Sequence, residues 1–214
     1  INKYSRPYSE IPFIGGAIGY CSYEMDEKKI DNCNLPKISM GIYDWALIVD
    51  HFLQEAYLVT TNVDEETKKN WSKYIKLLST STSDKSQKFI VKSEIEDNSN
   101  FEDYRNKFKL VMDYLKEGDC YQINLSKQYK VLVEGDSWQF YKIFRNSNKS
   151  RYMAYLDFKD FEILSGSPER FIQVRGNAVN TRPIKGTIGR DKNHDRDKKN
   201  ALALKESVKD QSEN

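Results

Sequence analysis

An α+β, or layered α/β, protein is predicted by three observations. Short runs rich in Val, Ile, Tyr and Phe recur along the 214 residues, and the turns joining several of them make them look antiparallel. Other stretches repeat apolar residues at helical spacing. Helices and strands also alternate irregularly, as in a layered mixed domain. The helix expected over 101–117 lies between strands and lends some α/β character. Periodicity does not supply the order of strands in a sheet.

Residues 11–23, IPFIGGAIGYCSY, predict a strand with close backbone approaches at its glycines. Residues 41–50 and 54–61 predict two strands joined by a turn around His51. Residues 64–78 predict a helix with Trp71, Tyr74, Ile75 and Leu78 on one face, followed by a polar loop over 79–87 and a strand over 88–95. Asn100 is the expected N-cap of the helix from Phe101 to about Glu117, and Gly118 ends it. Phe101, Tyr104, Phe108, Val111, Met112 and Leu115 mark its expected buried face.

Residues 120–133 alternate, with Tyr121, Ile123 and Leu125 on one side and Gln122, Asn124 and Ser126 on the other. A long strand whose polar face lines solvent or a site is expected there. A helix is expected near 136–145, and strands over 151–158, 161–165, 170–175 and 178–182. Gly176-Asn177 is a hairpin turn between the last two. Residues 189–199 read as a mobile charged loop containing His194. A last helix is expected over 196–210, with Ala201, Leu204 and Val208 on one stripe.

Bulk properties exclude several classes. The formal charge is +2, with basic and acidic residues interspersed, so no basic footprint for nucleic acid is present. Fourteen Tyr and ten Phe supply core area despite 38% hydrophobic content, which argues against disorder. No run approaches the length of a membrane span, and no signal peptide stands at the N-terminus, so no membrane partner is expected. Cys21, Cys33 and Cys120 lack metal-ligand spacing and read as reduced thiols of a cytoplasmic protein. The glycines of 11–23 match neither a phosphate loop nor a dinucleotide fingerprint. Since the first residue is Ile, the true start is expected to lie upstream.

Glu169 precedes one arm of the 170–182 hairpin, and Lys185 follows the other. A hairpin returns the chain near its origin, so the two become candidate neighbours. They read either as an acid and nucleophile pair or as a surface salt bridge. Gly186 by itself reads as a turn glycine.

The segment Ser167 to Arg190, SPERFIQVRGNAVNTRPIKGTIGR, resembles the active-site signature of the chorismate-utilising enzymes. Further blocks match in order: Pro12 to Tyr23, Tyr43 to Asp50, Gly118 to Tyr129, and the final Ser212-Glu213-Asn214. The resemblance implies two facing, mostly antiparallel sheets with helices outside. It also implies that residues 1–214 form a partial chorismate-binding domain with N-terminal and C-terminal parts missing. Within the family, Lys185 in Pro183-Ile184-Lys185-Gly186-Thr187 resembles the branch that forms aminodeoxychorismate. Water-using members carry lysine where this chain has Gln122, which disfavours attack by water.

The resemblance implies amination of chorismate at C4. Lys185 adds at ring C2 as the 4-hydroxyl leaves, Glu169 protonates that hydroxyl, and ammonia displaces Lys185. The product is 4-amino-4-deoxychorismate, a precursor of p-aminobenzoate and folate. Lys185 must then present a neutral amine, and Glu169 must keep its proton long enough to donate it. Gly186, Thr187 and Gln122 are implied substrate contacts. Mg2+ is the implied cofactor, with Glu213 its first ligand. A glutamine amidotransferase subunit is the implied source of ammonia. Two alternatives stand beside this reading, an anthranilate-forming enzyme and a catalytically inert interaction fragment.

Overall fold

A computed structural model describes residues 11–23, 35–80 and 87–213. The chain divides into two compact units, Ile1–Lys85 and Ser86–Asn214. Every strand pairing among the described residues is antiparallel and two-stranded. The mixed class expected from the sequence is the class observed.

In the N-terminal unit, β1 (Gly16–Cys21) pairs with β2 (Ile38–Tyr43), and β3 (Trp45–Asp50) pairs with β4 (Glu55–Thr60). The Asp50 carboxylate accepts from the backbone N–H of Phe52 and Leu53, and Gln54 turns the chain with φ +55°. His51 is therefore a turn residue, as expected. Asp44 organises the far end of the same hairpin. Its carboxylate accepts from the Thr60 and Thr61 hydroxyls and from the N–H groups of Val63 and Asp64. These bonds fix the entry to α1 (Glu65–Ser79), whose N-cap Asp64 accepts from Glu66 N and the Thr67 hydroxyl. Trp71, Tyr74 and Ile75 of the expected face are half-buried, whereas Leu78 is exposed. Tyr74 stacks on Trp45 with ring centroids 4.8 Å apart.

In the C-terminal unit, the strand expected over 88–95 shrinks to Ile90–Val91, and two short pairings are found. These are β5 (Ile90–Val91) with β8 (Val133–Glu134), and β6 (Glu96–Asp97) with β7 (Tyr129–Lys130). The long strand expected over 120–133 is corrected accordingly. Residues 122–128 join no ladder among the described residues. Alternation shows which side chains share a face; a ladder also needs a neighbouring strand.

Helix α2 (Phe101–Glu117) begins as expected, with Asn100 accepting from Asp103 N at 2.9 Å, and Gly118 closes it at φ +82°, but of its expected buried face Tyr104, Val111 and Leu115 are only half-buried while Phe101, Phe108 and Met112 are exposed. Helix α3 (Ser137–Asn148) runs beyond its expected end and stops at Lys149, φ +39°. It carries the core of this unit. Tyr141, 6% exposed, stacks with Trp138 and meets Tyr155, whose hydroxyl bonds Ser137 at 2.9 Å. Tyr155 belongs to β9 (Ala154–Asp157), paired with β10 (Glu162–Ser165).

Strands β11 (Arg170–Arg175) and β12 (Ala178–Arg182) have the expected limits, with Gly176 at φ +55° in the turn. The expected last helix is two helices, α4 (His194–Glu206) and α5 (Val208–Glu213), broken at Ser207. The Ser207 hydroxyl accepts from Asp210 N, so it starts a new helix rather than continuing the old one. The expected apolar stripe does not carry across the break: Leu204 is half-buried, while Ala201 and Val208 are exposed.

Candidate active site

Two tethers hold the segment that bears the candidate residues. The first is at Gly166, where a Cβ would fall 2.5 Å from Phe144 Cζ and 2.7 Å from Asn148 Nδ2. Glycine thus lets the chain run against α3 just before Ser167-Pro168-Glu169. The Ser167 hydroxyl then donates to Glu169 O at 3.1 Å and accepts from Glu169 N at 3.4 Å. Arg170 follows, with Nη1 on Gln173 and Asn180 and its guanidinium over the Tyr152 ring.

The second tether lies after Thr187. Arg190 makes a two-pronged pair with Asp197 of α4, both N···O distances being 2.8 Å. Asp191 N donates to the same carboxylate, and Asn200 Nδ2 donates to Gly189 O. The Arg190 guanidinium, followed by the Asp191 N–H, holds the Asp197 carboxyl below its ordinary range. Residues expected as a mobile charged loop are thus a clamped turn and a capped helix. His194 is the first residue of α4, and Asn193 caps it.

Between these tethers the hairpin does what its turn predicts. Arg170 pairs with Arg182, so Glu169 and the Pro183–Thr187 turn lie at the same end of β11–β12. Both Glu169 and Lys185 are half-buried, and their side chains make no hydrogen bond or ion pair with each other. Gly186 has φ +67°, and a Cβ there would fall 2.5 Å from the Asp210 Cγ. Thr187 is exposed. Lys185 borders a cavity of about 310 Å3 with Ala201, Leu204, Lys205, Asp210 and Gln211.

Gln122 is exposed, with its Nε2 at 3.5 Å from Asn124 Oδ1, which accords with the shared polar face of that stretch. Glu213 ends α5, and its side chain lies outside the described residues. Among the described residues no group of three or more His, Cys, Asp or Glu side chains forms a metal site. Cys21 and Cys120 are free thiols, and Cys33 lies outside the described residues. No described helix is long and apolar enough to cross a membrane.

The sequence reading missed Asp210. Its signal was its spacing: it stands three residues before Glu213, on the same helical face.

The chain resembles known proteins over nearly its whole length. It is 34% identical to aminodeoxychorismate synthase component 1 of Klebsiella aerogenes over 220 residues, covering 100% of this chain and 47% of that protein. It is 35% identical to the Escherichia coli (strain K12) protein of the same name, covering 96% and 45%. Anthranilate synthase component 1 of Bacillus subtilis is 30% identical, covering 99% and 46%. The chain thus spans about half the length of the relatives it matches. The crystal structure of anthranilate synthase component I from Streptococcus pneumoniae TIGR4 superposes with a TM-score of 0.76 at 23% identity, over 98% of this chain and 49% of that one, and shares its fold. The family model for chorismate binding enzymes matches residues 2–214, and the chain belongs to that family.

Proposed function

We propose that this chain is part of an enzyme that aminates chorismate at C4 to 4-amino-4-deoxychorismate. Lys185 carries the proposal, because amination at C2 by ammonia needs no nucleophile at that position. Its support is local: Lys185 is half-buried beside a cavity, and Glu169 lies at the same end of the hairpin. The names of the 34–35% identical relatives agree with it.

In this reading the Lys185 amine bonds to ring C2, the two conjugated ring double bonds shift to C1=C6 and C4=C5, and the C4–O bond breaks. Glu169 donates the proton with which the 4-hydroxyl leaves as water. Ammonia then forms the C4–N bond, the double bonds return, and Lys185 leaves C2. The net reaction exchanges ammonia for water. A glutamine amidotransferase partner supplies the ammonia. Gly186, Thr187 and Gln122 contact the substrate. Glu213 would be one carboxylate ligand of a Mg2+ cofactor, which would bind the ring carboxylate of chorismate. The enzyme is read as cytoplasmic, with residues 1–214 a partial domain.

A second reading, amination at C2 to anthranilate, draws on the 0.76 TM-score and on the anthranilate synthases among the relatives. The two are separated by incubating the full-length protein with chorismate, Mg2+ and ammonium and identifying the product by mass and chromatography. Aminodeoxychorismate is expected, lost in Lys185→Ala and reduced on the order of 100-fold or more in Glu169→Gln. Anthranilate as the product would select the second reading and remove the role of Lys185.

A further inference from the structure

We propose that Arg170 is a positioning residue for Glu169, set on its face of the hairpin by a β-bulge in β11; the inference rests on the reading of Glu169 as the acid. The bulge is read from the register. Arg170 stands opposite Arg182 and Gln173 opposite Asn180, so three steps along β11 match two along β12. Phe171 and Ile172 together therefore face Thr181, one residue more than a regular ladder holds.

The extra residue decides where the arginine points. Opposed residues share a face, and Asn180 and Arg182 lie two apart on β12, so Arg170 lies on the face of Gln173. In a regular ladder, residues three apart point to opposite faces. The bonds follow the bulged register: Arg170 Nη1 donates to Gln173 Oε1 at 2.6 Å and to Asn180 Oδ1 at 3.2 Å. Thr181 holds the bulge itself. Its hydroxyl lies 2.6 Å from Phe171 O and 3.4 Å from Arg170 O, bonding carbonyls where the ladder is interrupted.

Glu169 is thereby fixed from both sides. Upstream, the Ser167 hydroxyl bonds Glu169 N and O. Downstream, the guanidinium of the next residue ties β11 to β12. It also lies over the Tyr152 ring, 5.2 Å from its centroid, which adds the connection between α3 and β9. These partners are all neutral, and no ion pair joins Arg170 to Glu169. A guanidinium paired with Glu169 would favour the carboxylate over the acid that must donate. The network thus fixes the backbone beside the acid while keeping the neighbouring cation engaged elsewhere.

The test uses the full-length protein and a double-variant cycle, with kcat and KM for chorismate measured in ammonium and Mg2+. Arg170→Met is expected to lower kcat on the order of 10-fold, part of what a placed acid contributes, with KM near the wild-type value. Thr181→Val keeps the side-chain shape and removes the hydroxyl. It is expected to lower kcat several-fold, and it carries the test if Arg170→Met folds poorly. In a Glu169→Gln background neither change lowers kcat further, since no acid is left to place. A loss of the same size in both backgrounds overturns the proposal, because Arg170 would then act elsewhere.

The second readout does not depend on the product. Backbone amide hydrogen exchange is followed in peptides covering residues 166–173. It is expected to be several-fold faster in Arg170→Met and Thr181→Val than in the wild type. Unchanged exchange in both variants overturns the proposal. If the wild-type protein forms no aminodeoxychorismate, the functional reading fails, and exchange still decides whether Arg170 and the bulge hold the segment at Glu169.

Discussion

Glu169 and Lys185 show how one glycine sets the address of a functional group. Gly166 lies three residues before Glu169 and touches Phe144 and Asn148 of α3 where a methyl would not fit. Gly166→Ala should cost about 1–3 kcal/mol by overpacking, measured as a lower urea midpoint. Asp97 and Lys127 give the clearest electrostatic case. Their N···O distance is 2.5 Å, and the Lys127 ammonium also lies over the Tyr104 and Tyr129 rings. The Lys127 ammonium, followed by the Ser99 N–H, holds the Asp97 carboxyl below its ordinary range; partial burial opposes this. The Asp97 carboxylate holds Lys127 above its ordinary range. The signs follow from linkage. Stability from Asp97 is present above its unfolded pKa and is lost as pH falls through the depressed folded value. Stability from Lys127 is present below its unfolded pKa and is lost as pH rises through the raised one. Urea midpoints across pH should therefore fall less steeply on the acid side in Asp97→Asn than in the wild type. Equal acid slopes would remove the pair as the cause.

At the scale of elements, the legible features were those whose cause is local. The β11–β12 hairpin and the Asn100 cap announce themselves in two or three residues, and both came out where the sequence put them. Gly176 supplies the positive φ of that turn, and no atom lies within 4 Å of where its Cβ would be. Gly176→Ala should therefore cost about 1–2 kcal/mol from backbone conformation alone. If the hairpin aligns the catalytic ends, activity and stability fall together in that variant, and unchanged stability would contradict the turn assignment. Features that depend on a distant neighbour were not legible. The alternation over 120–133 was silent about a partner strand. The break at Ser207 was hidden because Ser is tolerated within helices, and only its bond to Asp210 N marks it as a new start. Asp210 itself was invisible as a site residue, since its contact with Gly186 spans 24 positions of chain.

At the scale of the whole molecule, the ladders and the exposed apolar residues belong to one argument. Adjacent residues of a strand point to opposite faces, yet all five residues of β12 are exposed. Both faces of β12 are thus bare. In the N-terminal unit, Ile38, Met40 and Ile42 are likewise exposed on β2. A two-stranded ladder is marginal in water, and three or more strands or a packed helix are needed for independent stability. Apart from Tyr141, no apolar side chain among the described residues is fully withdrawn from water. The 214-residue polypeptide studied by itself should accordingly bind a hydrophobic dye such as ANS strongly and unfold over a broad denaturant range. Under the inert-fragment reading, chorismate leaves that transition unmoved; under the enzymatic reading, chorismate binding to the longer protein raises its midpoint by mass action. A sharp transition with no dye signal in the 214-residue chain would mean that these faces close on one another in solution, and the apolar strands would then be core rather than a surface awaiting cover.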